Sequence, residues 1–159
     1  AYTFMGLQST CRDMARFGLL VLHDGAWGDD QVIPADWVEQ ATERPSQDLN
    51  TTYGYLWWTN LVGTQGTSVS PLRAEEVPAA KQTQRVPGAP EELRWALGLG
   101  GQIIQIDTAT DTVVVRLGPG NPSNTYGPAQ LARVVTEAVT DGDAPAVEPT
   151  TTTEEDGGA

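Results

Sequence analysis

Histidine and cysteine occur once each in this chain, as His23 and Cys11, and lysine once, as Lys81. One histidine and one cysteine cannot assemble a zinc or iron site from the usual ligands, and a single thiol excludes an internal disulfide. No metal and no cofactor is therefore expected. No apolar run approaches the roughly twenty residues that a helix needs to cross a bilayer. The opening stretch AYTFMGLQST lacks the basic start and apolar middle of a secretory signal. The chain opens on Ala1 instead of Met, which reads as a processed product or a piece of a longer chain with any targeting signal upstream. Basic residues are scarce: 9 Lys and Arg against 21 Asp and Glu leave a net charge of −12, which argues against nucleic acid and anionic membranes as partners.

Half of that excess is local. Asp141, Asp143, Glu148, Glu154, Glu155 and Asp156 are unbalanced by any basic residue near the C-terminus, in a setting of Pro, Thr and Gly. Such a composition cannot bury enough surface to offset the entropy of ordering, so 140–159 is expected to be a disordered acidic tail. The remaining 1–139 suffice for one core, and 39% hydrophobic residues is ordinary for a globular domain.

Ser9-Thr10 followed by Asp13 has the spacing of a capping box. Met14, Phe17, Gly18, Val21 and Leu22 then fall on one helical face until His23-Asp24-Gly25 stops the helix. A turn at Trp27–Asp30 leads through Pro34 to a short helix from Ala35 to about Thr42, with Trp37, Val38 and Ala41 expected to face inward. Residues Thr52–Asn60, TTYGYLWWTN from Thr51, alternate and are aromatic-rich. They predict a strand with Tyr53, Tyr55 and Trp57 on one face and Leu56 and Trp58 on the other. Leu61–Glu92 has no period and is too long for a plain connector, which suggests a lid or rim.

The organising stretch is Trp95–Gly118. It predicts a strand, a glycine-rich corner at Gly98, Gly100 and Gly101, and a hairpin of Gln102–Asp107 with Thr112–Leu117 around the loop Thr108–Asp111. A turn-dense loop over 118–124 precedes a helix from Pro128 to Val139 with Leu131, Val134, Val135 and Ala138 as its stripe. Helices first, then antiparallel strands and a closing helix, make an α+β architecture.

Little in the chain spells chemistry by itself. His23 closes a helix, where a solvated role is the ordinary one. Gly66-Thr67-Ser68-Val69-Ser70 lacks the second glycine of a nucleophile elbow. The acidic pairs Asp29-Asp30, Glu75-Glu76 and Glu91-Glu92 read as solvated charge, and Cys11, beside Asp13 and without a histidine, as structural. Asn50-Thr51-Thr52 matches a glycosylation sequon, a pattern common by chance. Tyr53, Trp57 and Trp58 suit a core or an apolar binding wall.

Four pieces in order nevertheless resemble the C-terminal portion of the penicillin-recognising serine hydrolases, the class C β-lactamase-like esterases and amide hydrolases. They are Gly6-Leu7-x-Ser9-Thr10-x-x-Asp13-Met14-Ala15-Arg16-Phe17-Gly18; Gly25-x-Trp27 with Val32-Ile33-Pro34 and Trp37-Val38; Tyr53-Gly54-Tyr55-x-Trp57-Trp58; and Ala96-x-Gly98-x-Gly100-Gly101-Gln102 running to Asp107 and Val113-Val114-Val115. The Gly-Gly-Gln ending is most similar to the 6-aminohexanoate-oligomer hydrolase branch. The resemblance implies an incomplete domain over 1–139, helical over 1–45, sheet-forming over 52–118 and closed by a helix over 128–139. It also implies an ester or amide substrate for the complete protein and an extracytoplasmic setting.

In that family a serine of S-x-x-K attacks a carbonyl, a lysine and the tyrosine of Y-x-N move the proton, and backbone N–H groups hold the oxyanion. This sequence contains neither S-x-x-K nor Y-x-N. The resemblance places both on an N-terminal segment before Ala1, so no catalytic side chain is expected here and the chain alone should be silent. The family's third motif, a cationic triplet on the sheet edge, maps to Ala96-Leu97-Gly98, with the Leu99 N–H as an oxyanion donor. Ala96, Gly98, Gly100, Gly101 and Gln102 become substrate-side residues. With no cation at Ala96, neutral esters or amides are expected over penicillin-like acids, unless Arg94 substitutes for it. The alternative is a free-standing, non-catalytic domain that binds a partner or glycan through the aromatic strand and the long loop.

Overall fold

The computed structural model describes residues 6–44, 46, 50–64, 82–118 and 127–140. The expected tail past 140, the loop after Gly118 and the middle of the segment expected to form a rim lie outside these residues.

Helix α1 (Cys11–Leu22) starts where the capping pattern predicts. Thr10 is extended, its Oγ1 accepts the Asp13 N–H at 3.2 Å, and its hydroxyl donates to the Asp13 carboxylate at 2.7 Å. Arg16 donates to the same carboxylate at 2.8 Å. The helix ends as Asp24 turns to φ +51°, and the Gly25 N–H reaches back to the Leu20 carbonyl at 2.7 Å. A two-residue hairpin, β1 (Ala26–Trp27) with β2 (Asp30–Gln31), leads to α2 (Ala35–Thr42).

A four-stranded antiparallel sheet follows in the order β3 (Trp58–Thr59), β6 (Leu93–Gly98), β7 (Gln102–Asp107), β8 (Thr112–Arg116). Strands β4 (Gly63–Thr64) and β5 (Gln82–Thr83) form a separate two-residue ladder, and α3 (Pro128–Thr140) comes last. The predicted hairpin is present, with Ile103 opposite Arg116 and Asp107 opposite Thr112. The molecule is an α+β fold, as its order of elements implies.

Strand alternation sorts the core into two faces. Ala96, Ile104, Ile106, Val113 and Val115 meet Val21 of α1, Val38 and Ala41 of α2, and Trp57 just before β3. Contact here is close: a Cβ on Gly18 would lie 2.5 Å from Val113 Cγ1. On the other face Leu93, Trp95, Leu97 and Ile103 pack with Trp58, Val86, Leu131 and Ala132. Leu93 and Trp95 are fully buried; each such side chain contributes roughly 1.5–3 kcal/mol by leaving water.

Three expectations need correction. Thr52–Asn60 is not a continuous strand: only Trp58–Thr59 joins the sheet, and Tyr53 bridges back to Trp58 around a tight turn. The Gly54 N–H donates to the Trp57 carbonyl at 2.8 Å, and Leu56 takes φ +66°. A side chain at Gly54 would strike the Ala41 carbonyl at 2.2 Å, so this turn is packed against the end of α2, and the Tyr55 N–H donates to that same carbonyl at 3.0 Å. Trp37 and Phe17 do not face inward. They are half-exposed and stack on Tyr55 and Trp57, with centroids 5.4 and 6.2 Å apart. On α3 the fully buried residue is Ala132, while Val134 is exposed, because the helix lies on the bulky Trp58 and Trp95 cluster with its small residue inward.

Candidate functional site

Strand β6 is paired on both sides only along its first half. β3 meets it at Trp95 and Arg94, whereas β7 accompanies it from Leu93 to Gly98. Among the described residues, Ala96, Leu97 and Gly98 thus have a strand neighbour on one side alone. The register would put Leu56 opposite Leu97, and it is at Leu56 that the chain turns away.

Backbone phase fixes which groups face the open side. The Leu93 carbonyl accepts the Asn60 N–H at 3.0 Å on the β3 side. N–H and C=O of alternate residues point the same way along an antiparallel strand, so those of Leu97 point to the unpaired edge. Leu99 lies past the end of β6 and is 95% exposed; its N–H shares a peptide plane with the Gly98 carbonyl, which faces the Gly101 N–H, so the Leu99 N–H points the opposite way.

The corner itself is held from behind. Gly100 and Gly101 have φ +78° and +83°, a region that side-chain-bearing residues rarely adopt, and the Gly101 N–H closes the turn on the Gly98 carbonyl. A Cβ on Gly98 would lie 3.0 Å from that of Gln102, its cross-strand partner. The Gln102 amide clamps Gly118, with its Nε2 donating to the carbonyl and its Oε1 accepting the N–H at 2.8 Å. Arg116 donates to the Gly101 carbonyl.

The predicted site residues therefore separate into groups. Ala96, Gly98, Leu99, Gly100 and Gly101 share one continuous edge and corner. Gln102 adjoins them, but its side chain is engaged with Gly118 and positions the corner. Arg94 is a correction. It lies four residues before Gly98 on β6, is buried, and donates to Glu43 Oε1 at 3.3 Å and to the Glu91 carbonyl at 3.2 Å. Its charge is directed at α2's end because a buried guanidinium takes the nearest carboxylate and carbonyls, and it cannot replace a cation at Ala96.

Sequence reasoning missed Asn60 and the turn at Gly54. Asn60 is fully buried, its Nδ2 within 2.9–3.2 Å of the Val86, Ala89 and Pro90 carbonyls and its Oδ1 accepting the Val86 N–H at 2.8 Å. It pins 86–90 to the foot of β3. Gly54 inside an alternating pattern was the available sign of a bend.

No family model matches the chain, and no curated protein matches it. Among solved structures it is similar to a Bacillus anthracis protein that carries the provisional name 6-aminohexanoate-dimer hydrolase. The TM-score is 0.50 at 23% identity, over 86% of this chain and 29% of that one. The shared property is a fold, that of a β-lactamase-like hydrolase. This chain spans less than a third of the length of that neighbour. Among the described residues, the upper half of β6 with its glycine corner lacks a strand neighbour on one side, as does the outer edge of β8.

Proposed function

We propose that this chain belongs to a serine hydrolase acting on neutral esters or amides, for which it supplies the substrate edge and one oxyanion donor. The attacking serine with its S-x-x-K lysine and the Y-x-N tyrosine then belong to a segment outside this sequence. The half-paired β6 carries the reading. A carbonyl compound laid along Ala96–Gly98 meets the Leu97 N–H and C=O, with the Leu99 N–H past the strand end for the oxygen that gains charge. One such donor is worth about 2.7–4 kcal/mol in the transition state. Ala96 is apolar and Arg94 is committed to Glu43, so neither supplies a cation for an acidic substrate. The solved neighbour's name, a hydrolase of a 6-aminohexanoate dimer, agrees with the branch suggested by Gly100-Gly101-Gln102.

A fluorophosphonate probe tests this. The 159-residue chain alone should stay unlabelled, and a complete protein containing it should be labelled at a serine of S-x-x-K. Labelling of a serine within 1–159 overturns the assignment.

A second reading is favoured by Trp37 and Tyr55, which stack together half-exposed beside the exposed Leu56. Paired exposed rings suit a non-catalytic domain that binds a partner or glycan. It requires the isolated chain to unfold in one cooperative urea transition and to bind a glycan in a manner lost in Trp37→Ala.

A further inference from the structure

Arg85 differs from the other described arginines. Arg16, Arg44, Arg94 and Arg133 each lie within reach of a carboxylate, Arg116 donates to the Gly101 carbonyl, and Arg12 is exposed to water. Arg85 is partly buried, and among the described residues no carboxylate pairs with it. Its Nε is buried without a hydrogen-bond partner. Its guanidinium carbon stands 3.8 Å from the ring centroid of Trp58, whose indole also meets Tyr53 at 4.4 Å with the rings tilted by 47°. The next residue, Val86, belongs to the apolar cluster of Trp58, Leu93 and Trp95, with Tyr53, Ala89 and Leu97 packed against it.

The energetics are one-sided. Burial pushes the Arg85 pKa down, the mark of a cation losing water. Stacking on indole offsets that loss but leaves the in-plane N–H donors of the fork unused. Those donors match a carboxylate in bidentate geometry, and low polarity strengthens such a bond. Tyr53, Ala89 and Leu97, the partly exposed members of that cluster, offer apolar surface for a hydrocarbon or aromatic body.

We propose that Arg85, with the Trp58 and Tyr53 wall, is a receptor for the carboxylate of an amphipathic organic acid. The site goes beyond the hydrolase reading and does not depend on it, since it requires neither Leu99 nor a nucleophile.

The test titrates the full chain with sodium phenylacetate at constant ionic strength, observing the Arg85 Nε–H and Trp58 indole N–H by NMR. The expected result is a saturable shift of both signals. 2-Phenylethanol, which keeps the ring and lacks the charge, should not produce it, and acetate should produce it only at several-fold higher concentration. Arg85→Gln should abolish the response and Arg85→Lys should weaken it several-fold. An equal response to 2-phenylethanol, no saturable response to phenylacetate, or an undiminished response in Arg85→Gln overturns the proposal. The alcohol comparison uses the unaltered chain, so it decides the matter even where a variant fails to fold. Labelling by a fluorophosphonate reports on the hydrolase reading separately.

Discussion

The two halves of β6 share one backbone and opposite circumstances. Leu93, Arg94 and Trp95 have strands or capping residues on both sides and are buried, whereas Ala96, Leu97 and Gly98 pair with β7 alone and rise to an exposed corner. The lower half holds the fold together; the upper half keeps backbone groups available to something else. What separates them is the neighbouring chain, which leaves the sheet at Leu56 instead of accompanying β6 to its end.

Substitutions should sort by half. Trp95→Ala removes a fully buried indole and its 2.9 Å hydrogen bond to Gln105, and a loss of about 3–5 kcal/mol is expected in urea melts. Leu99→Pro, at the other end, deletes one exposed N–H. Stability should barely move, while on the proposed hydrolase reading a complete protein containing the chain loses roughly 10²–10³-fold in kcat, with Leu99→Ala near the parent. A parallel loss of stability in Leu99→Pro would erase the distinction between the halves.

Asn60→Ala strands the buried Val86 N–H and the carbonyls now bonded to the amide, a loss of about 2 kcal/mol or more. Hydrogen exchange should speed first in 86–90. Gly101→Ala forces a side chain into φ +83° and toward Arg116 at 3.1 Å, about 1–2 kcal/mol. On the proposed hydrolase reading, its thermal shift should be small beside its effect on turnover of the complete protein.

The smallest effect is far from β6. The Thr10 hydroxyl, and then Arg16, hold the Asp13 carboxyl below its ordinary pKa. A depressed carboxylate stabilises the fold above the usual carboxylate range and loses that contribution as pH falls through its folded value. Asp13→Asn should therefore flatten only the acid limb of the stability profile, and slightly, because the group is exposed.

What could be read in the residues was whatever local chemistry decides. The Gln102–Asp107 and Thr112–Arg116 hairpin follows from β-branched runs around a turn, and α1 from Thr10 and Asp13. The glycines at 98, 100 and 101 announced a corner. Thr52–Asn60 misled because alternating aromatics look alike whether extended or folded back, and the deciding bond, Tyr55 N–H to the Ala41 carbonyl, comes from another element. Gln102 and Arg94 have partners at Gly118 and Glu43, 16 and 51 residues away. No spacing rule reaches so far. Arg85 gave no sign, since its unmet charge is defined by what surrounds it.

The small ladder of β4 with β5 has an engineering consequence. Gly63 faces Thr83 and Thr64 faces Gln82, so residues 64 and 82 are held side by side in one clasp. Closing a longer or shorter excursion there costs only about 0.6 kcal/mol per doubling of length. That clasp is a natural port for grafting a foreign loop, or for replacing the native one by a short glycine turn, while the principal sheet keeps its register.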